Sequence, residues 1–158
     1  MKYPKTAPVK VIIIGAGGTG GYVIPHLYRI GFATERSMRI LVCDGDVVEE
    51  KNLIRQNFVE QDVGRNKAQV LAERYSAAFG IECEYIPRFV ENDDELFQLT
   101  VPDFSQDRWR GIPETQRVIL LGCVDNNKSR QMCHRVFERS SHLVYIDSGN
   151  DVEHIGNI

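Results

Sequence analysis

The chain is poor in the features that mark several common functions. Its 158 residues hold no apolar run approaching the ~18 residues that a membrane-spanning helix needs, so no membrane role is expected. The N-terminal stretch Met1-Lys2-Tyr3-Pro4-Lys5-Thr6-Ala7-Pro8 lacks an apolar signal core, which points to the cytoplasm. Positive charge is not in excess: 19 Lys and Arg stand against 22 Asp and Glu, for a net charge of -3. A nucleic-acid partner, which would call for a basic footprint, is therefore not expected. The four cysteines, Cys43, Cys83, Cys123 and Cys133, form no Cys-x-x-Cys pair, so a zinc site has little support. Cys43 and Cys123 sit in apolar, strand-like runs and read as small buried hydrophobes. His26, His134, His142 and His154 have no metal-ligand spacing and read as helix-face or loop residues. Ser148 lacks the flanking glycines of a hydrolase nucleophile. There is no internal repeat, low-complexity tract or linker, so residues 1–158 are read as one domain. A chain of this length can bury roughly 70% of its unfolded surface.

What is present is an alternation of strands and helices. Val9-Lys10-Val11-Ile12-Ile13-Ile14 is a short β-branched run that ends at glycine, as a buried parallel strand does. The apolar stretch 22–30 predicts a helix closed by Gly31 and kinked by Pro25. Residues 39–43 predict a second strand ending at Asp44. A helix is expected over 62–79, with Gly80 as its cap, and a third strand over 81–86. A short helix over 93–99 and an irregular surface loop over 101–116 follow, the loop marked by Pro102, Gly111 and Pro113. Phe104 and Trp109 in that loop are expected to pack it onto the body. Residues 118–122 and 143–146 read as the last two strands, with a helix over 125–140 between them. This order predicts an α/β fold: a doubly wound, mainly parallel, Rossmann-like sheet with helices on both faces.

The chemistry begins at Gly15-Ala16-Gly17-Gly18-Thr19-Gly20. This G-x-G-x-x-G run follows a strand and opens a helix, the context in which it binds phosphate. Gly15 suits a tight turn, Gly17 and Gly18 let a phosphate approach the backbone, and Gly20 permits close helix–strand packing. The helix N-terminus offers free N–H groups and partial positive charge to an anion. Asp44, at the tip of the second strand, can accept hydrogen bonds from ribose hydroxyls. The loop alone does not choose between NAD, FAD and ATP.

Residues beyond Asp44 favour ATP. A triphosphate needs more cations than a dinucleotide pyrophosphate, and Arg55 and Lys67 can supply them. Asn52 offers a neutral donor one turn from Arg55 if that segment is helical, and Gln56 adds another. Asp125 stands at the end of the fourth strand, where open parallel sheets gather ligands. A carboxylate there, near phosphates, suits Mg²⁺. The competing readings are plain: Arg55 and Lys67 as solvated charges, Asp125 as a helix cap, Asp46 as a turn residue.

Taken in order, the glycine loop, Asp44-Gly45-Asp46, Asn52-Leu53-Ile54-Arg55-Gln56, Gly64-Arg65-Asn66-Lys67-Ala68 and Asp125-Asn126 followed by Arg130 resemble the ThiF/MoeB and ubiquitin-activating enzyme superfamily. The resemblance spans essentially the whole chain. It implies an adenylyltransferase that uses ATP and Mg²⁺ to activate the C-terminal carboxylate of a ubiquitin-like or sulfur-carrier protein with a Gly-Gly tail. By it, Arg55 and Lys67 hold phosphates, Asp125 holds Mg²⁺, Asp44 holds ribose, and Asn126 and Arg130 shape the nucleotide side of their loop. It also implies a homodimer.

Three departures qualify this. Family members usually continue with further strands, often a catalytic cysteine and zinc pairs, so the chain is expected to be a fragment of a longer protein. No cysteine lies in the usual thioester region, and Cys133 falls in a helix. Some relatives donate an arginine from an N-terminal helix into a partner's site; here only Lys2, Lys5 and Lys10 are available. Two other readings remain open at this stage. An NAD-dependent oxidoreductase explains the glycine loop and Asp44 but gives Asn52, Arg55, Lys67 and Asp125 no task. A non-catalytic protein-binding partner with the same fold leaves the retained charged residues unexplained.

Overall fold

The computed structural model describes residues 7–103 and 116–148. The expected loop over 101–116, with Phe104 and Trp109, lies mostly outside them, as do Lys2 and Lys5.

Among the described residues, five strands form one parallel sheet in the order β3-β2-β1-β4-β5. They are β1 (Val9–Ile14), β2 (Met38–Cys43), β3 (Cys83–Ile86), β4 (Arg117–Gly122) and β5 (Leu143–Asp147). Parallel neighbours need crossovers, and four helices supply them: α1 (Gly18–Thr34), α2 (Lys67–Phe79), α3 (Asp93–Thr100) and α4 (Asn127–Glu138). The doubly wound, Rossmann-like fold read from the sequence is the one observed.

Strand alternation assigns each helix to a face. Val9, Val11 and Ile13 of β1, with Ile40 and Val42 of β2, point into a core shared with Ile24 and Tyr28 of α1 and Ala68, Val70 and Leu71 of α2. Ile12, Ile14, Leu41 and Cys43 point the other way, onto Leu96 of α3 and Met132, Cys133 and Val136 of α4. With a layer on either side, β1 has no polar face to show: all six of its residues are buried. This is why Lys10 can reach its partner only at the sheet's N-terminal margin.

Several boundaries differ from the sequence reading. Gly31 does not end α1. It lies inside that helix, where a Cβ would come within 3.0 Å of Ile81 Cδ1, so its smallness serves helix–sheet packing. The helix ends instead at Glu35, in left-handed conformation at φ 50°. Pro25 does lie inside α1. Residues 62–66, expected to be helical, form a short 3-10 turn (Glu60–Asp62) and a return at Gly64, whose φ is 84°. Helix α2 starts only after Asn66, whose side chain accepts the Gln69 amide. Gly80 caps it as expected.

β1 and β4 are neighbours, yet the helices after them pack on opposite faces of the sheet. Their C-terminal loops therefore diverge. That divergence opens a crevice, and ligands of open α/β sheets bind in such a crevice.

Candidate functional site

A cleft of about 1000 Å³ opens at this point. Its floor is the turn from β1 into α1. Gly15 has φ 101°, and a Cβ on it would lie 2.5 Å from the Cys123 carbonyl oxygen; only glycine fits. Gly20 lies beneath the loop, buried, where a Cβ would collide with the Gly15 carbonyl. Gly17 and Gly18 face the cleft, and Gly18 has nothing within 4 Å of the place a Cβ would take. Gly17 caps α1 without a side chain, and no acidic residue sits in the first turn. The leading amides are thus left to an anion from solvent.

Asp44 ties the loop to β2. Its Oδ2 accepts the Ala16 amide at 2.6 Å and its Oδ1 accepts the Asp46 amide at 2.8 Å. Burial pushes the carboxyl above its usual range, and those two amides pull part of the way back. Each oxygen keeps a second lone pair for a ligand.

Behind Asp44, the segment 44–48 is fixed on the start of α2. Asn66 Nδ2 donates to the carbonyls of Asp44 at 2.8 Å and Asp46 at 3.0 Å, and the Lys67 amide donates to the Asp46 carbonyl at 3.0 Å. Lys67 is 6% exposed, and its ammonium meets Asp46 Oδ2 at 3.0 Å. So the expected phosphate lysine is brought to the cleft, held there by Asp46, a candidate nucleotide-binding residue whose competing reading was a turn residue.

Arg55 and Gln56 enter from the other wall. They follow a 3-10 turn (Glu50–Asn52) that Asn52 closes by accepting the Glu49 amide at 2.9 Å. Asn52 is therefore buried and does not line the cleft; it shapes the turn that presents Arg55. The Arg55 guanidinium makes no ion pair among the described residues. Gln56 Nε2 lies 3.9 Å from where a Gly17 Cβ would be, while its Oε1 is buried without a partner among the described residues. An orphaned buried carbonyl costs about 1–3 kcal/mol, so this amide is poised for a ligand or water.

Asp125 and Asn126 complete the rim at the end of β4. The Asp125 carboxylate is exposed and makes no hydrogen bond or ion pair among the described residues. The helix cap of α4 is Asn126, which accepts the Ser129 amide at 2.8 Å, not Asp125. Arg130 lies apart: its Nε donates to Asp147 Oδ2 at 2.9 Å, joining α4 to the end of β5, and it does not line the cleft.

Further lining comes from residues that sequence reasoning did not single out, among them Phe89, Val90, Glu91 and Asp93 after β3, and Lys128, Met132 and Arg135 on α4. Lys128, three places beyond Asp125, carried a signal that was available. The residues after β3 did not, since only the β2–β3 pairing brings them here, and Met132 and Arg135 arrive with the packing of α4 on the sheet. Cys43 and Cys123 also line the cleft, but burial raises both thiols, Cys43 to about 12. Neither is a thiolate near neutral pH. Lys10, one of the lysines considered as a stand-in arginine, is far from this end: its ammonium is buried against Asp103 at 2.8 Å.

With the geometry in place, the comparisons with known proteins decide the family. A family model described as "ThiF family" matches residues 3–147. The chain belongs to the ThiF family. Among relatives, it is 35% identical over 132 residues to "Ubiquitin-activating enzyme E1 1" of Candida albicans (strain WO-1), a match that covers 83% of this chain and 12% of that protein. Among solved structures, "Crystal structure of E. coli MccB + ATP" aligns at TM-score 0.65 and 25% identity, over 92% of this chain and 38% of that one. E. coli tRNA N6-threonylcarbamoyladenosine dehydratase, TcdA, aligns at TM-score 0.69 and 20% identity over 90% of this chain and 52% of that chain, a likeness of fold. The ThiF-family chain thus spans about half the length of these proteins or less. Among its described residues, no helix is long and apolar enough to cross a membrane.

Proposed function

We propose that this chain is the nucleotide-binding part of an enzyme that adenylates the C-terminal carboxylate of a ubiquitin-like or sulfur-carrier protein with a Gly-Gly tail, using ATP and Mg²⁺. One observation carries the reading: Arg55, Gln56, Lys67 and Asp125 line a single cleft with Gly15, Gly17 and Gly18. A fold that only bound NAD has no use for two such cations beside the glycine loop. Two relatives, a ubiquitin-activating enzyme and MccB solved with ATP, support the same chemistry.

In this reading the triphosphate lies over Gly17 and Gly18, against the leading amides of α1. Arg55 grips phosphate oxygens with its planar fork and Lys67 adds a compact charge. Asp44 accepts from ribose. The donor set at the rim fits Mg²⁺: one exposed, uncommitted carboxylate, Asp125, next to a loop suited to phosphates. Bound there, the ion would supply electrostatic neutralisation of the phosphates. A carboxylate oxygen of the acceptor tail attacks the α-phosphorus, forming the acyl–phosphate bond of an acyl-adenylate as the bond to pyrophosphate breaks. No protein nucleophile is used. Catalysis is positioning and charge stabilisation by Arg55 and Lys67.

The test is ATP–pyrophosphate exchange in the presence of a Gly-Gly-tailed carrier protein. Lys67→Ala is expected to lower the exchange rate by about a hundredfold or more, the usual cost of removing one preorganised donor, with the melting curve retained. Exchange by Lys67→Ala equal to the parent would refute the assignment. No exchange by the parent, with ATP still bound, would favour a non-catalytic partner.

A further inference from the structure

Phosphates and ribose, so placed, would fill only one end of the cleft. From the glycine loop the lining passes Asp44 and reaches a second end. There Val90 and Met132, only 8% and 5% exposed, form an apolar floor continuous with the core under α3 and α4. Glu91, Asp93 and Arg135 stand at the rim. Arg135 is occupied: its Nε and NH2 groups hold both Asp93 oxygens at 2.7 and 2.8 Å.

Phe89 overlooks this floor. It is 61% exposed, in a wall of the cleft. Its placement follows from strand pairing. Ile86 stands opposite Cys43 in the β2–β3 register, and the Asp44 amide donates to the Ile86 carbonyl at 3.2 Å. The chain leaving β3 therefore turns back over the chain leaving β2. It lays the Phe89 ring on Gly45, so closely that a Cβ there would meet Cδ2 at 2.6 Å and Cε2 at 2.7 Å. The turn is pinned from beyond as well. Glu95, in the first turn of α3, pairs with Arg88 and accepts the Glu91 amide at 3.0 Å. An exposed aromatic ring is thus braced by glycine backbone on one side and held by its neighbours, next to the carboxylate suited to ribose.

We propose that Phe89, seated on Gly45, is the platform on which the nucleobase of the bound nucleotide stacks, and that it contributes to choosing a nucleotide over bare polyphosphate. This rests on the ATP reading of the site. With phosphates on the glycine loop and ribose at Asp44, the base extends away from the loop, over Gly45 and onto the Phe89 ring. Its far edge lies over Val90 and Met132. Offset stacking of two π-faces is the favoured contact. A glycine at position 45 is required because any side chain would lift the ring off its seat.

The experiment is calorimetric titration of the chain with ATP, AMP and inorganic tripolyphosphate, for the parent, Phe89→Ala, Phe89→Trp and Gly45→Ala. Phe89→Ala is expected to weaken ATP and AMP by about tenfold, the order of one base–aromatic stack, and to leave tripolyphosphate unchanged. Phe89→Trp should retain nucleotide affinity. Gly45→Ala should weaken AMP as Phe89→Ala does. Equal AMP affinity in the parent and Phe89→Ala would overturn the proposal. So would a parallel loss of tripolyphosphate in Phe89→Ala, which would make the ring a prop of the cleft and not a base contact. A parent that binds tripolyphosphate but not AMP overturns this proposal while the phosphate site stands. A parent that binds none of the three removes the ATP reading itself, and the platform with it.

Discussion

One methyl group added at two glycines of the same loop should have opposite effects. At Gly20 a Cβ would run into the Gly15 carbonyl, which is backbone and cannot yield. Gly20→Ala is expected to cost about 3 kcal/mol or more, the upper range for overpacking, read as a lowered urea midpoint. At Gly18 a Cβ meets nothing, but it would occupy the space above the loop. Gly18→Ala is expected to melt like the parent and to bind ATP more weakly. If Gly18→Ala binds ATP as well as the parent, phosphates do not pass over this glycine. At this scale much was legible beforehand. Gly15, Gly17, Gly18, Asp44, Asp46, Arg55, Gln56, Lys67, Asp125 and Asn126 all line the cleft, because residue type and flanking strand or turn already implied their direction. Asn52 was chosen for its spacing from Arg55, and Arg130 for the family resemblance. The structure gives their polar groups to a turn and to Asp147.

At the scale of elements, the start of α2 is where local pattern misled. Val63 continues the apolar stripe of the helix, so a periodic reading runs straight through it. What ends it is tertiary: an antiparallel bridge between Val47 and Asn66 draws the chain back to the end of β2. Asn66 joins the two requirements, since its Oδ1 caps α2 and its Nδ2 holds the Asp44 and Asp46 carbonyls. Asn66→Ala is therefore expected to lose about 1 kcal/mol for the cap and also to weaken ATP binding, through the loosened Asp44. Asn66→Ser separates the two. It keeps a capping oxygen but cannot donate to both carbonyls, so stability should recover while ATP affinity stays low. Full recovery of affinity with serine would show that the cap alone matters. Phe89 belongs to the same class of residue. Nothing in Pro87-Arg88-Phe89-Val90 marks a site until β3 is seen beside β2.

Across the whole molecule the two ends of the sheet carry opposite kinds of polar group. Among the described residues the C-terminal end keeps uncommitted ones at Arg55, Gln56 and Asp125, beside pairs such as Lys67–Asp46. The N-terminal end holds a closed network in which Lys10 of β1 and Arg39 of β2 converge on Asp103, at 2.8 and 2.9 Å, and Arg39 also pairs with Glu84 of β3. Gln116, entering β4, accepts the Asp103 amide at 2.8 Å. Burial would raise the Asp103 carboxyl, but Lys10, Arg39 and Gln116 outweigh it and hold the group below its ordinary range. A carboxylate with a lowered folded-state pKa stabilises the fold above its unfolded value, near 3.9, and that contribution is lost as pH falls through the folded value. Asp103→Asn is expected to be about 2 kcal/mol less stable than the parent at pH 7, less than for a fully buried pair because the Asp103 side chain is still 21% exposed. The gap should narrow below about pH 4 and close at lower pH, where the parent too has lost its charge. Urea denaturation of both proteins at pH 7, 4 and 2.5 measures this. A gap that stays constant across that range would mean that Asp103 acts through packing and its amide contacts, and that the sheet's N-terminal margin is not held by charge.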